Sequence, residues 1–242
     1  MATDPNAYQG VVAPEGLTTF EVVVKRTHLL ISAQSDLTGP AEDLVAQAQW
    51  QIDSFSAEHP RFTETWSPYD VPPDAPDLVR AMARAASMAR VGPMAAIGGV
   101  VAEYVAKGLE PLSHEVIVRN RSDAYMLGDV DRVVALRAGA PTLTGRLGMR
   151  IPSALLPLAV CTSYGTIARP DATDRVDAAT VMAHDGALAD AVATALANRV
   201  HTAEDVQRAM DACRGIIGVL GLLVVVDGHL GAWGTMHLTA LD

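Results

Sequence analysis

The chain has 242 residues, half of them hydrophobic but only 5% aromatic, and a formal net charge of −10. That length supports one large domain or two small ones around a substantial core, and the apolar mass is alanine, valine and leucine rather than rings. The acidic balance argues against a general nucleic-acid binder, which needs a basic footprint, and a charged fraction of 19% argues against intrinsic disorder.

Residues 1–16 carry no Lys or Arg and no apolar run, so no signal peptide is expected, and no apolar stretch approaches the length of a bilayer span. Cys161 and Cys213 form no CxxC pair and offer neither a disulfide framework nor a zinc knuckle. These features predict a soluble, cytoplasmic protein with neither nucleic acid nor membrane as partner. A homodimer is the default expectation for its assembly.

Residues 1–19 read as a flexible N-terminus and 20–242 as a single domain, with sub-block boundaries near 65–76 and 138–152 where Pro or Gly breaks cluster. Residues 20–31 (FEVVVKRTHLLI) are β-branched and unbroken, and predict one strand or a hairpin. Residues 42–55 place Leu44, Ala48, Ile52 and Phe55 on one helical stripe. A second helix is expected over 77–90, with Asp77 as its cap and Leu78, Met82, Ala85 and Ala89 as its buried face. Gly92-Pro93 then restarts a third, with Pro93 at the first helical position, where a missing N–H costs nothing.

Strands are expected at 116–118, 132–136, 158–161 and 179–183, and an alanine-rich helix at 188–197. Thr202 caps a further short helix, with Asp205 as its capping-box partner. The chain closes on a hairpin, 222–226 and 230–238, about the Asp227-Gly228 turn. Helices mixed with antiparallel hairpins predict an α+β fold, and no GxGxxG follows a strand, so a Rossmann arrangement fails.

Asp190 and Thr194, at i and i+4, leave the same helix face among alanines. A carboxylate and a hydroxyl there suit a hard cation such as Mg²⁺. The plainer alternative is an acidic residue favoured by the helix dipole. The glycine- and alanine-rich start at Gly92, Pro93 and Ala95 offers uncovered N–H groups to a phosphate, or simply close helix packing. Thr162, Ser163 and Gly165 leave a strand beside Cys161 and could cradle phosphate or ribose oxygens. A nucleophile there is the sharper alternative, but the pattern is not G-x-S-x-G, and a buried, inert Cys161 is expected. Asn120, Arg121, Ser122 and Asp123 could clamp a ribose or phosphate, or form an ordinary polar turn. The seven histidines show no metal-ligand spacing.

The order of the segments AMARAASMARVGPMAAIGGVVAEYV, EVIVRNRSD, AVCTSYGT, ALADAVATAL and VVVDGHLGAWG resembles an uncharacterised-protein (UPF) family of the ApbE-like superfamily. The likeness runs from about residue 20 to the end of the chain. It extends remotely, through short motifs, to the ApbE flavin (FMN) transferases. It implies an ApbE-like, T-fold-related arrangement of duplicated antiparallel β-sheet units backed by helices. It also implies FAD and Mg²⁺ as cofactors, cleavage of the pyrophosphate, and attachment of FMN to a Thr or Ser of a protein acceptor.

The D-A-x-A-T-A-L motif of those enzymes is matched by residues 190–196, which implies metal ligation by Asp190 and Thr194. Their G-G-I-A-K-G segment falls on residues 92–97, which implies the backbone carbonyl of Ala95 as a further ligand. Their T-S-G loop is similar to 162–165 with one residue added. A nucleotide cofactor would then meet Gly92, Pro93, Asn120, Asp123, Thr162, Ser163 and Gly165. The motif lysine is replaced by Ala96, the Gly-Gly-Asp turn becomes Arg121-Ser122-Asp123, and the H-I-[IL]-D-P segment has no counterpart. No catalytic residue is assigned. Three functions stay open: a Mg²⁺-dependent FAD pyrophosphatase or FMN transferase, a non-catalytic flavin- or nucleotide-binding carrier, and a structural scaffold.

Overall fold

The β-branched run at 20–31 folds as a hairpin: β1 (Thr18–Val24) and β2 (Thr27–Ala33) pair antiparallel about Lys25-Arg26. Lys25 takes a φ of +51° to reverse the chain in two residues. The computed structural model describes residues 14, 16–135, 147–164 and 176–241. After the first hairpin come α1 (Thr38–Glu58), α2 (Arg61–Glu64) and α3 (Asp77–Ala89), then a 3₁₀ turn at Pro93–Ala96 that runs into α4 (Ile97–Leu109). A second hairpin follows, β3 (Val116–Asn120) and β4 (Asp123–Leu127).

Next are β5 (Arg132–Ala135) and β6 (Leu147–Ile151). The hairpin–helices–hairpin pattern then repeats, with β7 (Leu158–Ser163), β8 (Ala178–Ala183), α5 (Gly186–Ala197), α6 (Val206–Arg214), β9 (Val219–Val226) and β10 (His229–Gly234), and β11 (His237–Ala240) closes the order. The two units lie edge to edge through β4 and β7, giving an antiparallel sheet β1-β2-β3-β4-β7-β8-β9-β10. This is an α+β arrangement of duplicated antiparallel units backed by helices.

The helices cover one face of that sheet, meeting Val22, Ile31, Val118, Tyr125, Val181 and Val224. On the other face Ile117, Met126, Val160, Met182 and Leu223 pack on Val134, Met149 and Ile151 of a small sheet, β11-β6-β5. Strands buried on both faces carry no polar alternation, which is why 219–226 reads as a continuous apolar run. No single described helix is long and apolar enough to cross a membrane.

Several expectations need correction. Asp77 does not cap α3: Pro76 holds the cap position, and the Asp77 carboxylate binds the Arg80 side chain instead. Pro93 opens a 3₁₀ turn, and the α-helix proper starts at Ile97. The polar turn read at 120–123 is only two residues long, since Asn120 and Asp123 are paired strand residues and β4, not foreseen, begins at Asp123. Part of the 138–152 break forms β6, whereas 138–146 and Leu136 lie outside the described residues. The final strand does not run from 230 to 238. It breaks at Gly234 (φ +77°), where Thr235 N–H donates to the Leu220 carbonyl, and β11 crosses to the small sheet. The Asp227-Gly228 turn has positive φ at both residues, as such a hairpin requires, and the Thr202–Asp205 capping box is present.

Candidate functional site

Two close approaches set the site. Gly99 in the first turn of α4 faces Gly186, the first residue of α5, and a Cβ on Gly99 would overlap the Gly186 carbonyl. Only glycines let the two helix starts meet this closely. The Asp185 side chain caps α5 by accepting from Leu188 N–H at 2.9 Å, so the helix start is already served and Asp190 is left for another task. Asp190 Oδ2 accepts from Gly99 N–H at 2.9 Å. The Gly99 amide, in the first turn of α4, is therefore already committed to a carboxylate.

Asp123, at the start of β4, comes to the same place from the sheet. A Cβ on Gly98 would overlap Asp123 Oδ2 and lie 3.2 Å from Asp190 Oδ2, so the two carboxylates converge over that glycine. Asp123 is buried, and its Oδ1 has no hydrogen-bond partner. Burial, and next the charge of Asp190, push Asp123 well above the usual carboxylate range against the pull of the Thr162 N–H, the Cys161 thiol and the Arg121 guanidinium. Burial raises Asp190 to about 7, opposed by the N–H groups of Gly99 and Gly98.

These carboxylates lie in a cavity of about 450 Å³ whose lining includes Ala95, Asn120 and Thr194. Lys25 and Arg26 on the β1–β2 turn and Arg121 on the β3–β4 turn line it too, the first two each 3.5 Å from Asp53 of α1. The cavity thus combines paired acids with a cationic rim. Met94, Ala95 and Thr194 also border an adjoining cavity of about 250 Å³, which Trp66 and Gly92 help to line.

Of the residues singled out from the sequence, Ala95, Asn120, Asp123, Asp190 and Thr194 meet in one cavity. The Asn120 side-chain amide donates to the Gly98 carbonyl at 3.1 Å and ties β3 to α4. Gly92 borders only the adjoining cavity, and its role is packing: a Cβ there would overlap the Thr65 carbonyl. Pro93 is buried, and it lines neither cavity. Thr162 and Ser163 are buried in β7 and border neither cavity among the described residues; the Thr162 and Thr180 hydroxyls bond each other at 2.8 Å. Gly165 lies outside the described residues.

Cys161 is buried, and burial with the nearby charges of Asp123 and Asp190 pushes its thiol well up, so it stays protonated and inert. Sequence reasoning missed Lys25, Arg26 and Trp66. A Lys-Arg pair inside VVVKRTHLL was the available signal, since two charges there mark the exposed tip of a hairpin.

Two carboxylates, a threonine and Ala95 border the cavity, and the buried Asp123 Oδ1 has no hydrogen-bond partner; oxygen donors of these kinds are compatible with a hard cation such as Mg²⁺. A second grouping, His114, Glu115 and Asp129, holds its ligand atoms within 4.8 Å at the other end of the β3–β4 hairpin. There Glu115 already pairs with Arg132 and accepts from the Asp129 N–H at 2.7 Å, so its charge is balanced within the protein.

A family profile described as "AbpE bacteria" matches residues 11–214. A UPF0280 protein of Methanocaldococcus jannaschii is 30% identical over 219 residues, covering 88% of this chain and 89% of the relative. One from Methanocella arvoryzae is 31% identical, covering 90% and 89%. Among solved structures, the flavin transferase ApbE of Vibrio cholerae superposes with a TM-score of 0.62 at 12% identity, covering 93% of this chain and 98% of that one. The ApbE protein of Thermotoga maritima does so with 0.58 at 11%, covering 90% and 97%. At such identities the likeness is one of fold.

Proposed function

The chain belongs to the UPF0280 family, whose profile is described as AbpE bacteria, and from that footing we propose that it binds a pyrophosphate-containing nucleotide cofactor, FAD first, with Mg²⁺ in the Asp123/Asp190 cavity. The observation that carries this reading is the pair of carboxylates, Asp123 buried and Asp190 partly so, converging over Gly98 within a rim of Lys25, Arg26 and Arg121. Asp190, Thr194 and the Ala95 carbonyl would hold the cation, with Asp123 Oδ1 as a further oxygen. Bound there, Mg²⁺ supplies charge neutralisation and polarisation of a diphosphate. Lys25 and Arg26 orient the phosphates from the β1–β2 turn, and Arg121 does so as a planar two-pronged donor.

Pyrophosphate cleavage with transfer of FMN to a protein acceptor is the catalytic extension of this reading. Among the described residues the cavity's lining contains no histidine, and the position of the family lysine is the fully buried Ala96. Those two facts favour a second reading, a carrier that binds the cofactor without transferring part of it. A reducing, cytoplasmic setting and a homodimer complete the proposal; the two buried, unpaired cysteines are compatible with that compartment.

The test is an FAD fluorescence titration of metal-stripped protein with and without Mg²⁺. We expect Mg²⁺-dependent quenching, and at least a roughly tenfold loss of affinity in Asp190→Asn with an unchanged circular dichroism spectrum. Absence of any Mg²⁺-dependent binding at tens of micromolar protein overturns the reading. AMP release on prolonged incubation separates enzyme from carrier.

A further inference from the structure

Resting on the nucleotide reading above, we propose that the cavity beside the carboxylate pocket is a ring subsite, in which Trp66 stacks a flat heteroaromatic ring of the ligand while Glu64 and Asn198 read its edge. The two cavities share Met94, Ala95 and Thr194 in their linings and so adjoin, which puts the second within reach of the next group of a ligand whose phosphates are held through Mg²⁺ at Asp123 and Asp190. The second cavity, at about 250 Å³, is small for a complete ligand. Joined to its neighbour it reaches the size of pockets that hold one, roughly 300–1,000 Å³.

Trp66 is 66% exposed, although it borders this cavity. Its loop is fixed on both sides. Thr65 N–H donates to the Arg61 carbonyl at 3.1 Å, and Thr65 Oγ1 bonds both the N–H and the carbonyl of Ser67 at 3.1 Å. Behind the loop, Gly92 lies so close that a Cβ there would be 3.1 Å from Trp66 Cα. An exposed indole on a pinned backbone offers a stacking surface at little ordering cost. Glu64 offers an acceptor and Asn198 both a donor and an acceptor. That combination matches a ring with an N–H donor beside an acceptor, which adenine and the flavin ring both present.

The experiment measures Mg²⁺-dependent binding of inorganic pyrophosphate, ADP, FMN and FAD to the wild type, Trp66→Ala, Trp66→Phe and, as an equally exposed control, Trp50→Ala. The proposal expects Trp66→Ala to weaken the ring-bearing ligands about 5- to 100-fold while pyrophosphate binds as before. Trp66→Phe should retain most of the affinity, and Trp50→Ala should change nothing. Loss confined to ADP assigns the adenine, loss confined to FMN assigns the flavin, and either supports the subsite. Unchanged binding of all ring-bearing ligands to Trp66→Ala overturns the subsite and leaves the nucleotide reading standing. Failure of every compound to bind the wild type overturns that reading and the subsite with it.

Discussion

Asp123 and Asp190 share one small volume, and the charge on Asp190 is among the causes that raise Asp123. Groups this close titrate as a pair, holding a proton at neutral pH that isolated carboxylates would have lost. The effect on stability has a definite sign. With a folded value near 7 against 3.8, Asp190 binds its proton more tightly in the folded state. Its contribution is complete below the unfolded value and is lost as pH rises through about 7. Metal-free protein should therefore melt at a higher temperature at about pH 5 than at about pH 8, by an amount corresponding to a few kcal/mol at most. Asp190→Asn should flatten that dependence. Saturating Mg²⁺ should remove it as well, because binding to the ionised pair stabilises the folded state most at the higher pH. Differential scanning fluorimetry across pH, on wild type and variant, reads both effects.

At the scale of elements, neighbouring glycines of α4 do different work. Gly99 meets the backbone of Gly186, which cannot retreat without separating two helices, whereas Gly98 meets carboxylate oxygens, which can rotate away. Gly99→Ala should lower the unfolding free energy by about 1–3 kcal/mol, the usual range for overpacking a close contact. Gly98→Ala should leave urea unfolding nearly unchanged, yet weaken Mg²⁺ binding by displacing Asp123. Equal losses of stability in the two variants would contradict this division. The hairpin turns show the same logic. Lys25 and Arg121 hold positive φ (+51° and +57°) without being glycine, and both sit on the cavity's rim. Backbone strain of this kind persists where surrounding pairing enforces it, here the β1–β2 and β3–β4 ladders.

For the whole molecule, the large sheet separates two jobs. Its helix-covered face carries the site, and its other face is sealed by the small sheet through Met149, Ile151 and Val134. Met149→Ala should cost about 2–5 kcal/mol of stability through a buried cavity, with Mg²⁺ affinity unchanged; a parallel loss of affinity would mean that the two faces are coupled. Much of the fold was legible beforehand because it rests on local chemistry. The helices at 42–55 and 188–197 follow from apolar periodicity, the last hairpin from Asp227-Gly228, and the capping box from the spacing of Thr202 and Asp205. The Asp190/Thr194 pairing was legible for the same reason, since i and i+4 share a helix face wherever the helix lies. Contacts between segments far apart in the chain were not legible. Asp123 opposite Asp190, Gly99 against Gly186, the Lys25-Arg26 turn over the acids and Trp66 beside Gly92 arise only when two sheet units join at β4 and β7 and their helices pack together. A sequence records spacing along one element, but the distance between two elements is fixed by packing, and the site is made of such distances.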